Sequence, residues 1–187
     1  MHRDLGCRPP RYLATAYQVA GDARDRTAID LGFGDGTVSC DLHSRGWRLF
    51  AIEKNREQVR SLIGRIGEAS QHRLAPQIAC GDFVDMQLPC AGLVHAAYAL
   101  QFVPRTKFGE FWSGVRRALS WSGVFAGHFF GKRDAFASVP EFSVFEEKEV
   151  RGLFVDWDTV LFEEYFGPGQ RDPSRIWNFW SVVAKKR

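Results

Sequence analysis

Cysteine is scarce in this chain, and what there is stands apart. Cys7, Cys40, Cys80 and Cys90 form no C-x-x-C pair and no zinc-type spacing, so neither a disulfide framework nor a bound metal is expected. Apolar runs are short. None approaches the ~20 residues that cross a bilayer, which argues against a membrane partner. The opening residues, MHRDLGCRPPRY, hold no apolar segment of the secretory kind. A cytoplasmic protein with reduced thiols is the expectation. Charge of one sign is also lacking. The net charge is +3, and no Lys/Arg run precedes Lys185-Lys186-Arg187. That cluster reads as a solvated end rather than a nucleic-acid patch. No Ser/His/Asp or Cys/His grouping for covalent catalysis stands out. A chain of 187 residues with 16 Phe and 6 Trp can bury a real core in one domain.

The stretch 27–55, TAIDLGFGDGTVSCDLHSRGWRLFAIEKN, organises the rest. A strand-length apolar run around Asp30 leads into Gly32, Gly34 and Gly36. A helical segment at 37–45 follows, closed by Gly46, and then a second apolar run at 49–52 ends on Glu53. Strand, glycine turn, helix, strand and acid is the layout of a nucleotide-binding βαβ unit. The glycines permit a sharp turn and let a ligand lie on bare main chain. Glu53 is placed to accept both hydroxyls of a ribose. Dinucleotide sites favour G-x-G-x-x-G, but here Thr37 occupies the third glycine's place. Asp30 and Asp35 add negative charge that a pyrophosphate resists and a cation welcomes.

On these residues the chain resembles the class I S-adenosylmethionine-dependent methyltransferases, whose first motif reads acid-x-G-x-G-x-G. The resemblance implies a three-layer α/β fold, Rossmann-like, with a mostly parallel seven-stranded sheet and a C-terminal antiparallel hairpin. Residues 1–26 then form a helical lid segment, with Arg8, Arg11 and Tyr12 as candidates, and 27–187 form the core. S-adenosylmethionine is the implied cofactor. Its implied contacts are Asp30, Gly32, Phe33, Gly34, Gly36, Glu53, Lys54, Asp82, Phe83 and Tyr98. Phe33 departs from the pattern, since small residues or Cys are usual there.

The remainder of the chain is consistent with that layout. Residues 55–68 predict a helix capped by Asn55, with Val59, Leu62, Ile63 and Ile66 on one face. A third strand at 74–80 carries Pro76 and so belongs at an edge. Cys80-Gly81-Asp82-Phe83 follows, like the motif that holds adenine. Residues 92–100, GLVHAAYAL, read as a buried central strand, and the loop after it offers Tyr98, Gln101 and Phe102. It lacks the N/D-P-P-Y of enzymes that methylate nucleic-acid bases. Residues 106–119 predict a helix with Phe108, Phe111, Trp112, Val115 and Leu119 on its inner stripe. A fifth strand at 124–130 runs into His128, Phe130, Lys132, Arg133 and Asp134. A helix at 146–154 and strands at 159–165 and 177–184 complete the hairpin.

The back half is most similar to small bacterial methyltransferases near the tellurite-resistance and thiopurine-methylating groups. That similarity places Glu163, Glu164, Arg171 and Trp177 on the substrate side. The functional expectation is in-line methyl transfer to a small-molecule acceptor, by a monomer or homodimer. His128 and Glu163 are the candidate proton acceptors. Phe102, Phe130, Lys132, Arg133, Arg171 and Trp177 are the candidate substrate contacts. Two alternatives stand beside it: an NAD(P)-linked oxidoreductase, and a non-catalytic binding module of the same fold.

Overall fold

The structure is a computed structural model that describes residues 10–23, 25–69, 75–169 and 172–187. Arg8 and Arg171 lie outside the described residues. The elements run α1 (Arg11–Val19), β1 (Thr27–Leu31), α2 (Thr37–Ser44), β2 (Arg48–Glu53), α3 (Arg56–Ala69), β3 (Gln77–Cys80), β4 (Ala91–Ala96), α4 (Phe108–Ala118), β5 (Leu119–Phe130), α5 (Glu147–Gly152), β6 (Trp157–Pro168) and β7 (Ile176–Lys186).

One seven-stranded sheet has the order β3-β2-β1-β4-β5-β7-β6. The first five strands are parallel, and β7 pairs antiparallel with both β5 and β6. The expected hairpin is therefore present, with its last strand inserted beside β5. Strand order reverses between β1 and β4, which is where open α/β sheets bind ligands.

Alternation along the strands sends neighbouring residues to opposite faces. Ile29, Leu31, Val94, Phe125 and Phe129 pack with α4 and α5 through Phe108, Phe111, Trp112, Val115 and Val150. Ala28, Leu49, Ala51, Leu93, Val124 and Ala126 pack with α1, α2 and α3. By the same period of two, Asp30, His95 and His128 stand on the α1 side of the sheet.

Several expected boundaries shift for local reasons. Asn55 caps α3 as expected, its side chain accepting from Glu57 N at 2.9 Å. Ile63, however, is 52% exposed and leaves the inner stripe to Val59, Leu62 and Ile66. Strand β4 ends at Ala96 rather than at residue 100, because Tyr98 takes φ +52° and turns the chain. Lys107 rather than Thr106 sits at the cap of α4, and Leu119 belongs to β5. The hairpin strands are longer than expected, at 12 and 11 residues. Helix α5 is held by a capping box between Glu146 and Glu149.

Candidate functional site

The glycine turn sits where β1 runs out. Gly32, Gly34 and Gly36 have φ of +64°, +55° and +71°, a region that costs an L side chain roughly 1–2 kcal/mol. Each glycine has its own reason. A Cβ at Gly32 would stand 2.9 Å from Ala99 Cβ, and one at Gly36 would meet Arg65 and Leu62 of α3. A Cβ at Gly34 would meet nothing within 4 Å, so that backbone faces open space. Glu53 closes the turn from β2. Its Oε2 accepts from Gly34 N at 3.1 Å and its Oε1 from Asn55 N at 2.9 Å.

Two cavities meet at Gly32 and Tyr98. The smaller, about 70 Å³, is lined by Glu53, Lys54, Gly81, Asp82, Phe83, Ala99 and Phe102 in addition. Asp82 Oδ1 accepts from Val84 N at 3.0 Å, which fixes its carboxylate at the strand tip. Lys54 lies over the Phe102 ring, 5.0 Å from its centroid. The larger cavity, about 550 Å³, is lined by Pro10, Tyr12, Asp30, Phe33, Gly34, Asp35, Val38, His95, Ala97, Tyr165, Gly169, Trp177 and Phe179. A still larger cavity, about 660 Å³, lies away from the turn, between α4 and the β3–β4 connection. Of the expected site residues it touches only Phe83.

The start of α2 bears on the phosphate question. Asp35 Oδ1 accepts from Thr37 N at 3.0 Å, and Arg65 donates to the Asp35 carbonyl. One of the first N–H groups of α2 is thus taken by a carboxylate of the chain itself. Leu62 and Arg65 fill the approach beside Gly36.

Beneath the larger cavity runs a buried polar chain. Asp30 Oδ2 accepts from Ser39 Oγ at 2.6 Å, and Asp30 Oδ1 pairs with His95 Nδ1 at 2.8 Å. His95 Nε2 in turn meets the Tyr12 hydroxyl at 2.9 Å. Asp30 and His95 are 1% and 3% exposed, so these bonds form in a low dielectric, where they are strong. Burial, then the neighbouring Tyr98 and Asp30, pushes the Tyr12 phenol up. His128 sits alongside, 1% exposed, with no partner for Nδ1. Burial first, and then His95, pushes its imidazole down to about 3.

The remaining expected residues divide. Trp177 lines the larger cavity, and Phe102 the smaller. Phe33 lines the larger cavity yet is 7% exposed, packed into the α1–α3 core. Phe130 is fully buried and backs the aromatic group, its ring centroid 6.2 Å from Tyr98 and 5.8 Å from Trp177. Lys132, Arg133, His128 and Glu163 line neither of the two joined cavities. Lys132 pairs with Glu146 at 2.7 Å, Arg133 with Glu164, and Glu163 with Arg11 at 2.7 Å. Gln101 turns back on its own loop, donating to the Tyr98 carbonyl at 2.7 Å. Sequence reasoning missed His95, Tyr165 and Phe179. His95 carried a signal: a polar residue inside the run GLVHAAYAL needs a buried partner.

No family model matches the chain, and no curated protein matches it either. Solved structures do. TehB from Haemophilus influenzae superposes with TM-score 0.76 at 15% identity, over 93% of this chain and 62% of that one. The fold is that of the class I S-adenosylmethionine-dependent methyltransferases. The N-methyltransferase NodS from Bradyrhizobium japonicum shares this methyltransferase fold, with TM-score 0.71, 12% identity, and 92% and 93% of the two chains covered. So does the 1,6-didemethyltoxoflavin-N1-methyltransferase from Burkholderia thailandensis, solved with S-adenosylhomocysteine, at TM-score 0.68, 16% identity, and 94% and 76% coverage. The chain spans 62% of the length of TehB. Identities this low carry the architecture and no acceptor.

Proposed function

We propose that this chain transfers a methyl group from S-adenosylmethionine to a small-molecule acceptor. The observation that carries the reading is the meeting of two cavities at Gly32 and Tyr98, with the carboxylates of Glu53 and Asp82 on one side and aromatic rings on the other. Glu53 would hold the ribose hydroxyls, Asp82 and Phe83 the adenine, and the open backbone at Gly34 the methionine part. When bound, the cofactor supplies an electrophilic methyl on a sulfonium. The chain's own work is to bind and align. Such alignment contributes ~7–11 kcal/mol in well-oriented cases. Tyr98, held at φ +52° between His128, Trp177 and Phe179, forms the wall between the cavities. Non-glycine backbone in that region persists where the surroundings enforce it, often at functional sites.

The occupied start of α2 speaks against the oxidoreductase alternative, because a dinucleotide needs that helix start for phosphate. The missing N/D-P-P-Y speaks against a nucleic-acid base as acceptor. No helix among the described residues is long and apolar enough to cross a membrane. With Cys40, Cys80 and Cys90 free, we read the protein as cytoplasmic.

Isothermal titration with S-adenosylhomocysteine tests the reading. Micromolar binding to the wild type, lost in Glu53→Ala and in Gly34→Val, is expected. Equal binding by all three proteins rejects the site, and binding of NADH in its place selects the oxidoreductase. Binding without turnover on any acceptor leaves only a cofactor-binding module.

A further inference from the structure

We infer that Tyr12, His95 and Asp30 form a proton relay in the wall of the larger cavity, and that the methyl acceptor is a protic nucleophile. This deepens the methyl-transfer reading and rests on it. The geometry is that of a general base held by an orienting acid. Asp30 Oδ1 lies 2.8 Å from His95 Nδ1 and fixes that nitrogen as the N–H donor. His95 Nε2 is then the bare nitrogen, and the Tyr12 hydroxyl 2.9 Å away donates to it. The second Asp30 oxygen is held by Ser39 at 2.6 Å, so the carboxylate cannot swing. Tyr12, His95 and Asp30 all line the 550 Å³ cavity, the one that faces the aromatic wall. Three elements supply the relay, α1, β1 and β4. The strand register that sets Asp30 beside His95 makes it a product of the fold rather than of one loop.

The groups facing His95 favour this direction of transfer. Asp30 on β1 gives it a carboxylate, Tyr12 on α1 gives it a donor, and His128 on β5 is the third. Burial keeps His128 uncharged at neutral pH, so it adds no opposing cation. In the step, the acceptor X–H loses its proton to Tyr12 Oη while the Tyr12 proton passes to His95 Nε2. The freed electron pair on X forms the bond to the methyl carbon. The S–CH₃ bond breaks with its pair on sulfur. The positive charge that leaves sulfur reappears on the imidazole, beside Asp30, so the net charge of the site does not change. Tyr12 is the catalytic residue, and His95 and Asp30 are positioning residues that act through it.

Three measurements on the full chain test the relay. Nitrogen-15 NMR of the His95 ring is expected to find Nδ1 protonated and Nε2 bare and hydrogen-bonded, with the Nε2 signal displaced in Tyr12→Phe. A protonated Nε2, or an Nε2 signal indifferent to Tyr12→Phe, overturns the relay whatever the activity. Equilibrium dialysis with S-adenosylhomocysteine separates the two readings. Wild type and Tyr12→Phe are expected to bind within about threefold of each other, whereas no binding by the wild type sinks the methyl-transfer reading itself. Turnover is then read on phenols and N–H heterocycles against dimethyl selenide and pyridines, which have no proton to lose. Tyr12→Phe should lower kcat on the protic acceptors by ~10²–10⁴, the usual contribution of a general base, with KM little changed. Loss on the aprotic acceptors should stay below about tenfold, because they need no base. His95→Gln should follow the same split. Equal losses on both panels, turnover of aprotic acceptors alone, or cofactor binding with no turnover at all, each overturn the proposal.

Discussion

The two sides of the glycine turn are built from different materials. On the β2–β3 side the site is main chain and carboxylate: Gly34 held open at φ +55°, Glu53 bonded to it, Asp82 pinned at the next strand tip. On the β4–β5 side it is rings: Tyr12, Tyr98, His95, His128, Trp177 and Phe179, with ring centroids 4.2 to 6.0 Å apart between neighbours. Backbone and acids recognise a ligand that every member of a fold can share. Packed side chains recognise one that differs. Under the proposed methyl transfer, the first side would hold the cofactor and the second the acceptor.

The comparison can be broken most forcefully at the turn itself. Gly32→Ala adds a methyl 2.9 Å from Ala99 at a strained φ, and strain plus overpacking together reach ~2–5 kcal/mol. Gly34→Ala has the same backbone strain but open space, so it should cost only ~1–2 kcal/mol of stability. Chemical denaturation of the two variants tests this. Similar losses would mean that the turn is not packed rigidly against Ala99 at Gly32.

The ring side has its own signature in pH. An unfolded histidine titrates near 6.5, while His128 in the fold is held down to about 3. Above pH 6.5 both states are neutral there and nothing is lost. Below it only the unfolded chain takes the proton, so stability falls with pH, by at most ~1.4 kcal/mol per unit, or about 3 kcal/mol by pH 4. His128→Phe should remove that part of the slope between pH 7 and 4 in urea titrations. An unchanged slope would place the acid sensitivity elsewhere.

Affinity for S-adenosylhomocysteine sharpens the contrast between the two sides. Glu53→Gln removes a charge-assisted acceptor, ~1.5–3 kcal/mol or roughly 10–100-fold in Kd. Trp177→Ala, in the aromatic lining of the larger cavity, should change that Kd by less than about threefold. Calorimetry decides. Equal effects would dissolve the division of labour.

Legibility followed the same boundary. The turn, Glu53 and Asp82 could be read because local spacing sets them: a glycine pattern and acids at the ends of apolar runs depend on neighbours in sequence. Periodicity made the strands legible, and the resemblance to the methyltransferases implied the hairpin inserted beside β5. The polar chain was not legible. Tyr12 and His95 are 83 residues apart and His95 and Asp30 are 65 apart, so only the register of β1 on β4 and the packing of α1 on the sheet bring them together. His128 was singled out as a candidate proton acceptor, and it lines neither of the two joined cavities. Its position near the end of β5 was visible, and the burial that keeps it neutral was not.

Lys132 and Arg133 make the smallest prediction and the most direct check on reading charge from sequence. Two cations after a strand tip suggest an anion site, but a cation's role depends on what already neutralises it. Lys132 holds Glu146 at the start of α5, and with Lys148 keeps that carboxyl down at about 2. Arg133 pairs with Glu164 and lies over the Phe166 ring, 4.1 Å from its centroid. Glu164 keeps a second donor, Asn178 Nδ2 at 2.8 Å, so losing the arginine does not strand it. Exposed pairs of this kind contribute ~0.2–1 kcal/mol. Arg133→Ala and Lys132→Ala should therefore lower stability by less than about 1 kcal/mol each. Neither should alter cofactor affinity or KM for any acceptor that turns over. A rise in KM for carboxylate-bearing acceptors alone would show that the pairs open in the working enzyme, and would return both residues to the substrate side of the site.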